Sequence, residues 1–247
     1  MSNLVGITIA LPQEARALFG ILGWSRSDKF PTKVERFQDV LAMVAISGQG
    51  ASRAQEATRF LLKSNPVFVI NMGVSGALVK GLQSGDLVVP DAITDTEKTI
   101  NLESPLKKTL DSMIHSMGIR FNRGLLVTSR TTVNSPQDKK RLHEKTSAVA
   151  VDMEAFGVAR ACQAARVPFY AVKAVTDDSS QAIPAAITNC LGETGHISFS
   201  RFTVTILTRP WLISSLIEMQ RSFKAAILSL EQVKAILSAN LTRQIMS

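Results

Sequence analysis

Residues 148–162 read AVAVDMEAFGVARAC, and residues 167–179 read VPFYAVKAVTDDS. In each stretch an apolar run rich in β-branched residues leads into acidic residues, and the first stretch continues with apolar side chains at helical spacing. The pattern predicts a strand over 148–151, an amphipathic helix over 153–165 and a buried strand over 168–175. A strand, a helix and a second strand in succession are typical of an α/β fold.

The same alternation continues outward from these stretches, back to the start of the chain. Apolar runs predict strands, and segments with a 3.6-residue period predict helices. The other predicted strands are 4–10, 40–47, 67–72, 86–89 and 124–128, and the other predicted helices are 13–22, 51–63, 106–117 and 136–145. We therefore expect a single α/β domain over residues 1–200, with a central mixed sheet flanked by helices.

Residues 201–247 have a different pattern and predict a C-terminal helical extension. Residues 202–208 fit either a last strand or a bent helix, and 211–237 fit one long helix. Its apolar stripe consists of Leu212, Leu216, Met219, Phe223, Ile227, Leu230 and Leu237. We expect this helix to pack on the core or on a second subunit. The alternative is a basic amphipathic helix that lies on a membrane surface.

Composition excludes several classes of protein. The net charge is +8, but one Tyr and two Trp do not supply the aromatic platform of single-strand binders, so nucleic acid is not an expected partner. Cys162 and Cys190 form no CxxC pair, and the three histidines lack metal-ligand spacing, so we expect neither metal nor cofactor. A signal peptide and an uninterrupted apolar run of about eighteen residues are both missing, which favours a soluble, cytoplasmic protein.

Acidic residues follow three predicted strands, at the edge where ligands bind in such sheets. They are Glu14, the pair Asp152 and Glu154, and Asp177. Taken singly, each fits a helix cap or a first-turn acid, which is the more common role. Gly73 and Gly76 add a predicted glycine-rich turn whose backbone amides could approach a ligand. Together the four features favour a binding site.

Their order along the chain resembles the nucleoside phosphorylase and nucleosidase superfamily, which includes the methylthioadenosine/S-adenosylhomocysteine nucleosidases. The similar stretches are ALPQEARAL (10–18), SGQGASRAQEATRFLL (47–62), INMGVSGAL (70–78), SGDLVVPD (84–91) and the two quoted first. Within that superfamily the chain is most similar to the hopanoid-associated phosphorylases, through residues 134–155 and through TRPWLISSLIEM (208–219).

The resemblance implies cleavage of the N-ribosidic bond of an adenine nucleoside or of an adenosylated hopanoid lipid, with release of the base. It implies that Asp177 protonates or hydrogen-bonds N7 of the purine and would need a raised pKa to act as an acid. Glu154 would hold the ribose hydroxyls, Glu14 would orient or deprotonate an attacking water, and Met153 would pack under the ribose. The remaining residues of the implied substrate site are Asp152, Gly73, Val74, Ser75 and Gly76.

The chain departs from the family pattern in two places. Val74 stands where the nucleosidases usually have Ser, and residues 128–133 lack the aromatic side chain that helps to cover the base. Phe156 or another residue could replace that cover. Arg130 could meet a phosphate or a polar substrate group, or it could be a solvated loop charge.

The nucleophile stays open between water and inorganic phosphate as a co-substrate. The candidate phosphate ligands are Gly48, Gly50, Gly73, Ser75, Arg16 and Arg130, and none forms a decisive pattern. Because the resemblance puts Glu14 near the anomeric carbon, hydrolysis is favoured. A nucleoside-binding module without catalysis is the alternative from another class. Family members are usually oligomers, so a homo-oligomer is expected.

Overall fold

The structure is a computed structural model that describes residues 4–26, 29–183 and 212–245. It has one mixed sheet with helices on both faces. The strands are β1 (Leu4–Ile9), β2 (Ser25–Arg26), β3 (Pro31–Phe37), β4 (Val40–Ile46), β5 (Phe68–Ala77), β6 (Leu87–Val88), β7 (Ala92–Thr94), β8 (Thr99–Asn101), β9 (Phe121–Asn122), β10 (Leu125–Thr128), β11 (Ala150–Asp152) and β12 (Phe169–Asp177). The helices are α1 (Pro12–Phe19), α2 (Ala51–Leu62), α3 (Pro105–Ser116), α4 (Pro136–Thr146), α5 (Ala155–Ala165) and α6 (Leu212–Ile245).

The sheet branches at β5, the longest of the strands. Along one path the strands run in the order β2-β3-β4-β1-β5-β11-β10-β7-β8. β12 pairs in parallel with β5 on the other side, and it carries β6 and β9. β1, β5 and β12 are mutually parallel, so their carboxyl ends meet at the same edge.

The two faces of the sheet bury separate cores. In β12, Tyr170, Val172 and Ala174 face a core shared with α1, α3 and α6, whereas Phe169, Ala171 and Val175 face a core shared with α2 and α5. The alternation follows from the two-residue period of a strand, and burial on both faces explains the continuous apolar runs in the sequence. The prediction of an α/β fold with a central mixed sheet and a C-terminal helix is confirmed.

Several predicted boundaries were wrong. The first helix ends at Phe19 rather than residue 22, because Gly20 turns the chain away with a φ of 77°. Residues Gly73–Gly76 are not a turn: they continue β5 to Ala77 by pairing with both β12 and β11. Five strands were not predicted from the sequence, namely β2, β3, β7, β8 and β9. They are short or, like the partly exposed β3, rich in charge.

Helix α6 runs further than predicted, to Ile245, and packs on the core of its own chain. Its buried side chains include Ala226, Leu230, Val233 and Leu237, and it contacts β12, α3 and α1. Trp211, the predicted element at 202–208, Cys190 and the proposed domain boundary after residue 200 lie outside the described residues. In the described ranges no helix is both long and apolar enough to cross a membrane.

Candidate active site

A cavity of about 310 Å³ opens at the carboxyl ends of β1, β5, β11 and β12. Polar and charged side chains from distant segments meet in it. Its charged lining consists of Glu14, Asp152, Glu154, Lys173 and Asp177, which is four carboxyl groups and one ammonium group. Backbone and apolar side chains of Leu11, Gly73, Val74, Gly76, Val133, Met153, Ile183, Met219 and Phe223 form much of the rest.

Glu14 lines the cavity and is held there by backbone amides. It lies in the first turn of α1, with 1% of its surface exposed. Its Oε2 accepts a hydrogen bond from the Leu11 amide at 2.9 Å, and its Oε1 accepts one from the Val74 amide at 3.0 Å. Burial raises the pKa of Glu14, against the opposing effect of these hydrogen bonds and of Lys173. A carboxyl group that holds protons more strongly than usual is suited to act as a base.

Glu154 forms the N-terminal boundary of α5, and it also faces the cavity. Its Oε1 accepts a hydrogen bond from the amide of Gly50 at 2.9 Å, which joins the start of α5 to the start of α2. Burial, followed by the negative charge of Asp152, raises the pKa of Glu154 to about 7. Glu154 therefore changes its charge near neutral pH.

Asp152 lines the cavity, but both of its oxygens have partners in the protein. Oδ2 accepts a hydrogen bond from the Ala155 amide at the start of α5, and Oδ1 accepts one from the Thr128 hydroxyl at 2.7 Å. The Nζ of Lys173 lies 2.9 Å from Oδ2. These contacts cap α5 and tie it to β10 and β12, so Asp152 has a supporting role in the architecture of the site.

Lys173 is a charged residue of the cavity that sequence reasoning missed. It lies in the middle of β12 and is 1% exposed. Burial lowers the pKa of Lys173, but the charges of Asp152, Glu154 and Glu14 outweigh that effect and leave the pKa raised. The available signal was a lone basic residue inside the apolar run of residues 168–175, a position that a buried strand seldom gives to lysine.

Asp177 reaches the cavity because β12 has an irregularity at its end. The register of β12 against β5 shifts between Val175 and Asp177, which turns the Asp177 side chain toward the cavity. The Thr176 hydroxyl donates to Oδ1 at 2.8 Å, and the Nζ of Lys139 lies 2.6 Å from Oδ2. Sequence reasoning also missed Lys139, since it occurs in a helix that otherwise reads as solvated.

The predicted glycine-rich segment and Met153 also lie in the cavity. A Cβ atom added at Gly73 would lie 3.4 Å from Glu14 Oε1, and one added at Gly76 would lie 2.9 Å from Asp177 Oδ2. Glycine therefore lets two carboxylates approach β5 closely. The Ser75 hydroxyl is buried and finds no hydrogen-bond partner within the described part of the chain, and the sulfur of Met153 accepts from Gln49 Nε2 at 2.9 Å.

Two predicted site residues do not reach the cavity. Phe156 points into the core between the sheet and the α2–α5 pair, because its position in α5 faces inward. The Arg130 side chain is 91% exposed, with Glu97 as its neighbour at 3.9 Å. Within the described ranges, the aromatic side chain in the lining is Phe223 of α6, one helical turn from Met219. Periodicity predicts Met219 and Phe223 as members of an apolar stripe, and a stripe of this kind gives no sign that a residue lines a cavity.

Comparison with known proteins gives concordant matches. The family model described as the phosphorylase superfamily matches residues 5–190. A 5′-methylthioadenosine/S-adenosylhomocysteine nucleosidase of Buchnera aphidicola (subsp. Baizongia pistaciae, strain Bp) is 24% identical over 197 residues, which cover 71% of this chain and 78% of the relative.

Two solved structures share the fold. The 5′-methylthioadenosine/S-adenosylhomocysteine nucleosidase of Neisseria meningitidis, in complex with methylthio-immucillin-A, superposes with a TM-score of 0.73 at 19% identity, covering 95% of this chain and 98% of that one. The futalosine hydrolase of Helicobacter pylori (strain 26695) gives a TM-score of 0.71 at 18% identity, with the same coverage.

Proposed function

The chain belongs to the phosphorylase superfamily, and on that premise we propose that it is an enzyme that cleaves the N-ribosidic bond of a purine nucleoside and releases the free base. One observation carries the proposal. Glu14, Glu154 and Asp177, which lie far apart in the sequence, converge on one cavity and are each less than 10% exposed. Burying three carboxyl groups together is unfavourable for stability, so their convergence favours a chemical role.

The positions of the three carboxyl groups suit the charges that develop in this reaction. The ribose becomes cationic as the bond breaks, and the base takes the bonding electrons. Glu154 in its ionised form would hold the ribose hydroxyls and stabilise the cation. Glu14 would take a proton from the attacking water, and Asp177 would share a proton with N7 of the departing base.

We favour water over inorganic phosphate as the nucleophile. Among the described residues that line the cavity there is no arginine, and the one ammonium group, Lys173, is bound to Asp152. Among these described lining residues, a phosphate dianion would meet four carboxyl groups and no forked donor of the kind that usually binds it. The candidates Arg16 and Arg130 are both exposed and do not line the cavity.

We propose adenine as the base and a lipophilic group at the ribose 5′ carbon, as in an adenosylated hopanoid. The base follows from the relatives, which are named for adenine nucleosides. In support of a lipophilic group, α6 contributes Met219 and Phe223 to the lining, and its Ile213 and Ile217 are about half exposed nearby in the helix. Apolar side chains would accept an apolar substituent, and the exposed ones could meet a lipid surface.

The proposal is tested by incubating the purified protein with adenosine, methylthioadenosine and an adenosyl-lipid analogue, each with and without phosphate. Chromatography then follows free adenine and the sugar product. Free adenine without phosphate, released fastest from the lipophilic substrate, is the expected result. Adenine only in the presence of phosphate would make the protein a phosphorylase. Tight binding without any turnover would leave a nucleoside-binding module instead.

A further inference from the structure

Gln49 lines the cavity from the loop that joins β4 to α2. Gly48 and Gly50 flank it with φ values of 77° and 102°, a backbone conformation that glycine adopts without strain. The amide of Gly48 donates to the carbonyl oxygen of Ala10 at 3.0 Å, which ties the loop to the end of β1. The loop therefore holds Gln49 at the wall of the cavity, where this residue is half-buried.

The protein itself satisfies the carboxamide group of Gln49 poorly. Among the described residues its hydrogen-bond partner is the thioether sulfur of Met153, which lies 2.9 Å from Nε2, and a thioether is a weak acceptor. In the same part of the chain the carboxamide oxygen has no partner. A carboxamide can donate two hydrogen bonds and also accept them, so most of this capacity is left for a ligand.

The neighbours of Gln49 in the cavity are the residues assigned to the sugar. Met153, which the family resemblance places under the ribose, accepts from its carboxamide. Gly50, the next residue of the loop, donates its amide to Glu154 Oε1 at 2.9 Å, and Glu154 is the group proposed to hold the ribose hydroxyls. A polar group between these two would meet the sugar of a bound nucleoside. Hydroxyl groups, which donate and accept hydrogen bonds, match a carboxamide.

We propose that Gln49 binds a hydroxyl group of the ribose and makes the cavity select nucleosides that carry this hydroxyl over the corresponding deoxynucleosides. The inference rests on the proposed function for the presence of a nucleoside in the cavity. It goes further by adding a specificity-determining residue whose contact does not depend on the cleavage step. The hydroxyl is that of the 2′, 3′ or 5′ carbon, and the test identifies which.

The test measures dissociation constants by calorimetry for adenosine and for 2′-, 3′- and 5′-deoxyadenosine. The parent protein carries Asp177→Asn, which slows cleavage so that binding can be followed, and Gln49→Leu is added to it. Leucine is close to glutamine in size but forms no hydrogen bond. We expect adenosine to bind about three- to tenfold more weakly after the change, the range for one uncharged hydrogen bond. The deoxy form that lacks the contacted hydroxyl should bind equally well to both proteins.

Gln163→Leu in the same parent protein is the matched control. Gln163 is an exposed residue near the end of α5 and is not among the described residues that line the cavity, so all four constants should stay unchanged. Gln49→Met is a second test variant in case Gln49→Leu does not fold. If neither folds, Gln49 serves the fold of its loop and the inference is wrong.

The outcomes separate this inference from the proposed function. An equal loss of affinity for all four nucleosides, which a shift of Met153 alone would cause, or no loss for any of them, would overturn the role of Gln49. A loss that spares only 5′-deoxyadenosine would support the inference and contradict the lipophilic 5′ group of the proposed function. A selective loss, in a protein whose wild-type form releases no adenine, would contradict the proposed cleavage and leave the inference standing.

Discussion

At the level of single residues, two buried lysine–aspartate ion pairs make the burial of so many charged groups around the cavity possible. Lys173 and Lys139 are almost completely buried, and each lies within 3 Å of an aspartate oxygen, on Asp152 and Asp177 respectively. An isolated buried ammonium group costs several kcal/mol, which the pairing with a carboxylate and further hydrogen bonds offset. Lys173 in the lining, and Lys139 bound to Asp177 from outside it, offset part of the negative charge of the four carboxyl groups.

Asp177→Asn should slow the release of adenine by about 100-fold to 10,000-fold, the range lost when a group that handles the proton of a reaction is removed. The fold should survive, because the amide oxygen still accepts from Lys139. The assay is adenine release by chromatography, with the unfolding temperature as a check of the fold. Asp178→Asn is the control: Asp178 caps the loop through the amides of Ser180 and Gln181, which asparagine can also do. Equal activity of the two variants would contradict the role of Asp177.

Because the pKa of Glu154 is raised, we expect both the activity and the stability of the protein to depend on pH. Because its pKa is about 7 in the folded protein and near 4.5 otherwise, the folded state binds the extra proton between these values. The free energy of unfolding should therefore fall by about 3 kcal/mol as the pH rises from 4.5 to 7, whereas the activity, which needs the carboxylate, should rise through pH 7.

Glu154→Gln separates the two effects. The variant cannot ionise at this position, so its free energy of unfolding should lack this decrease, and its activity should be low at every pH. Urea denaturation at several pH values measures the first quantity. A wild-type protein whose stability stayed constant from pH 4.5 to 7, relative to Glu154→Gln, would show that Glu154 does not titrate near 7.

At the level of elements, the crossing of α2 and α5 depends on Gly157. A Cβ atom at this position would lie 1.9 Å from the carbonyl oxygen of Ala51, which is backbone and cannot move aside. Gly157→Ala should therefore destabilise the protein by about 3 kcal/mol, at the upper end of the usual cost of overpacking. Chemical denaturation measures the change, and a loss below 1 kcal/mol would mean that the helices separate at little cost.

Gly76→Ala should reduce the activity more than the stability. The added Cβ would meet Asp177 Oδ2 at 2.9 Å, so the Asp177 side chain would have to shift away from β5 and from its contact with Lys139. We expect a smaller loss of stability than in Gly157→Ala, because the clash is with a side chain and not with backbone, and a loss of adenine release of about 100-fold, since Asp177 would leave its position. A variant that loses stability but keeps its activity per folded molecule would show that Gly76 does not serve the position of Asp177.

The sequence predicted the elements of the core but not the extension of β5 through Gly76 or the charged strand β3. Periodicity located the strands and helices that lie in the core, because their residues respond to burial on one face or two. It could not show that residues 73–76 continue β5, since that conformation depends on pairing with β11 and β12, which are distant in sequence. The charged β3 was missed because its pattern is that of a solvated segment.

Sequence order and resemblance predicted that Glu14, Glu154 and Asp177 share one site, and the structure brings them into one cavity. Neither could indicate Lys139, because its burial results from the packing of α4 against the loop after β12. Phe156 was misplaced for a related reason: the helix N-terminus is at the cavity, but the side chain two residues later already faces the core.

At the scale of the whole molecule, α6 contributes both to the hydrophobic core and to the lining of the cavity. Core side chains between Ala226 and Leu241 pack on the sheet, while Met219 and Phe223 nearer its start line the cavity. A helix anchored at one end can therefore position apolar contacts for a ligand at the other. Whether the protein forms the homo-oligomer expected from its family stays a prediction, which sedimentation analysis of the full chain would test.

Phe223→Ala should weaken the recognition of an apolar 5′ substituent. We expect the KM for the adenosyl-lipid analogue to rise about tenfold, in line with the loss of a buried aromatic contact, while kcat for adenosine changes little. Leu228→Ala removes a side chain of the same helix that is 50% exposed and lies outside the cavity lining, so both constants should stay at their wild-type values. An unchanged KM in Phe223→Ala would place the 5′ substituent elsewhere.

A single-turnover reaction in ¹⁸O-labelled water, with phosphate present, distinguishes attack on the ribose by water from attack by phosphate. Mass spectrometry of the sugar product identifies the nucleophile. If water attacks, as we propose, the products are free adenine and a ribose that carries one ¹⁸O at its anomeric carbon. A sugar 1-phosphate without the label would contradict hydrolysis, and an unchanged nucleoside would contradict catalysis itself.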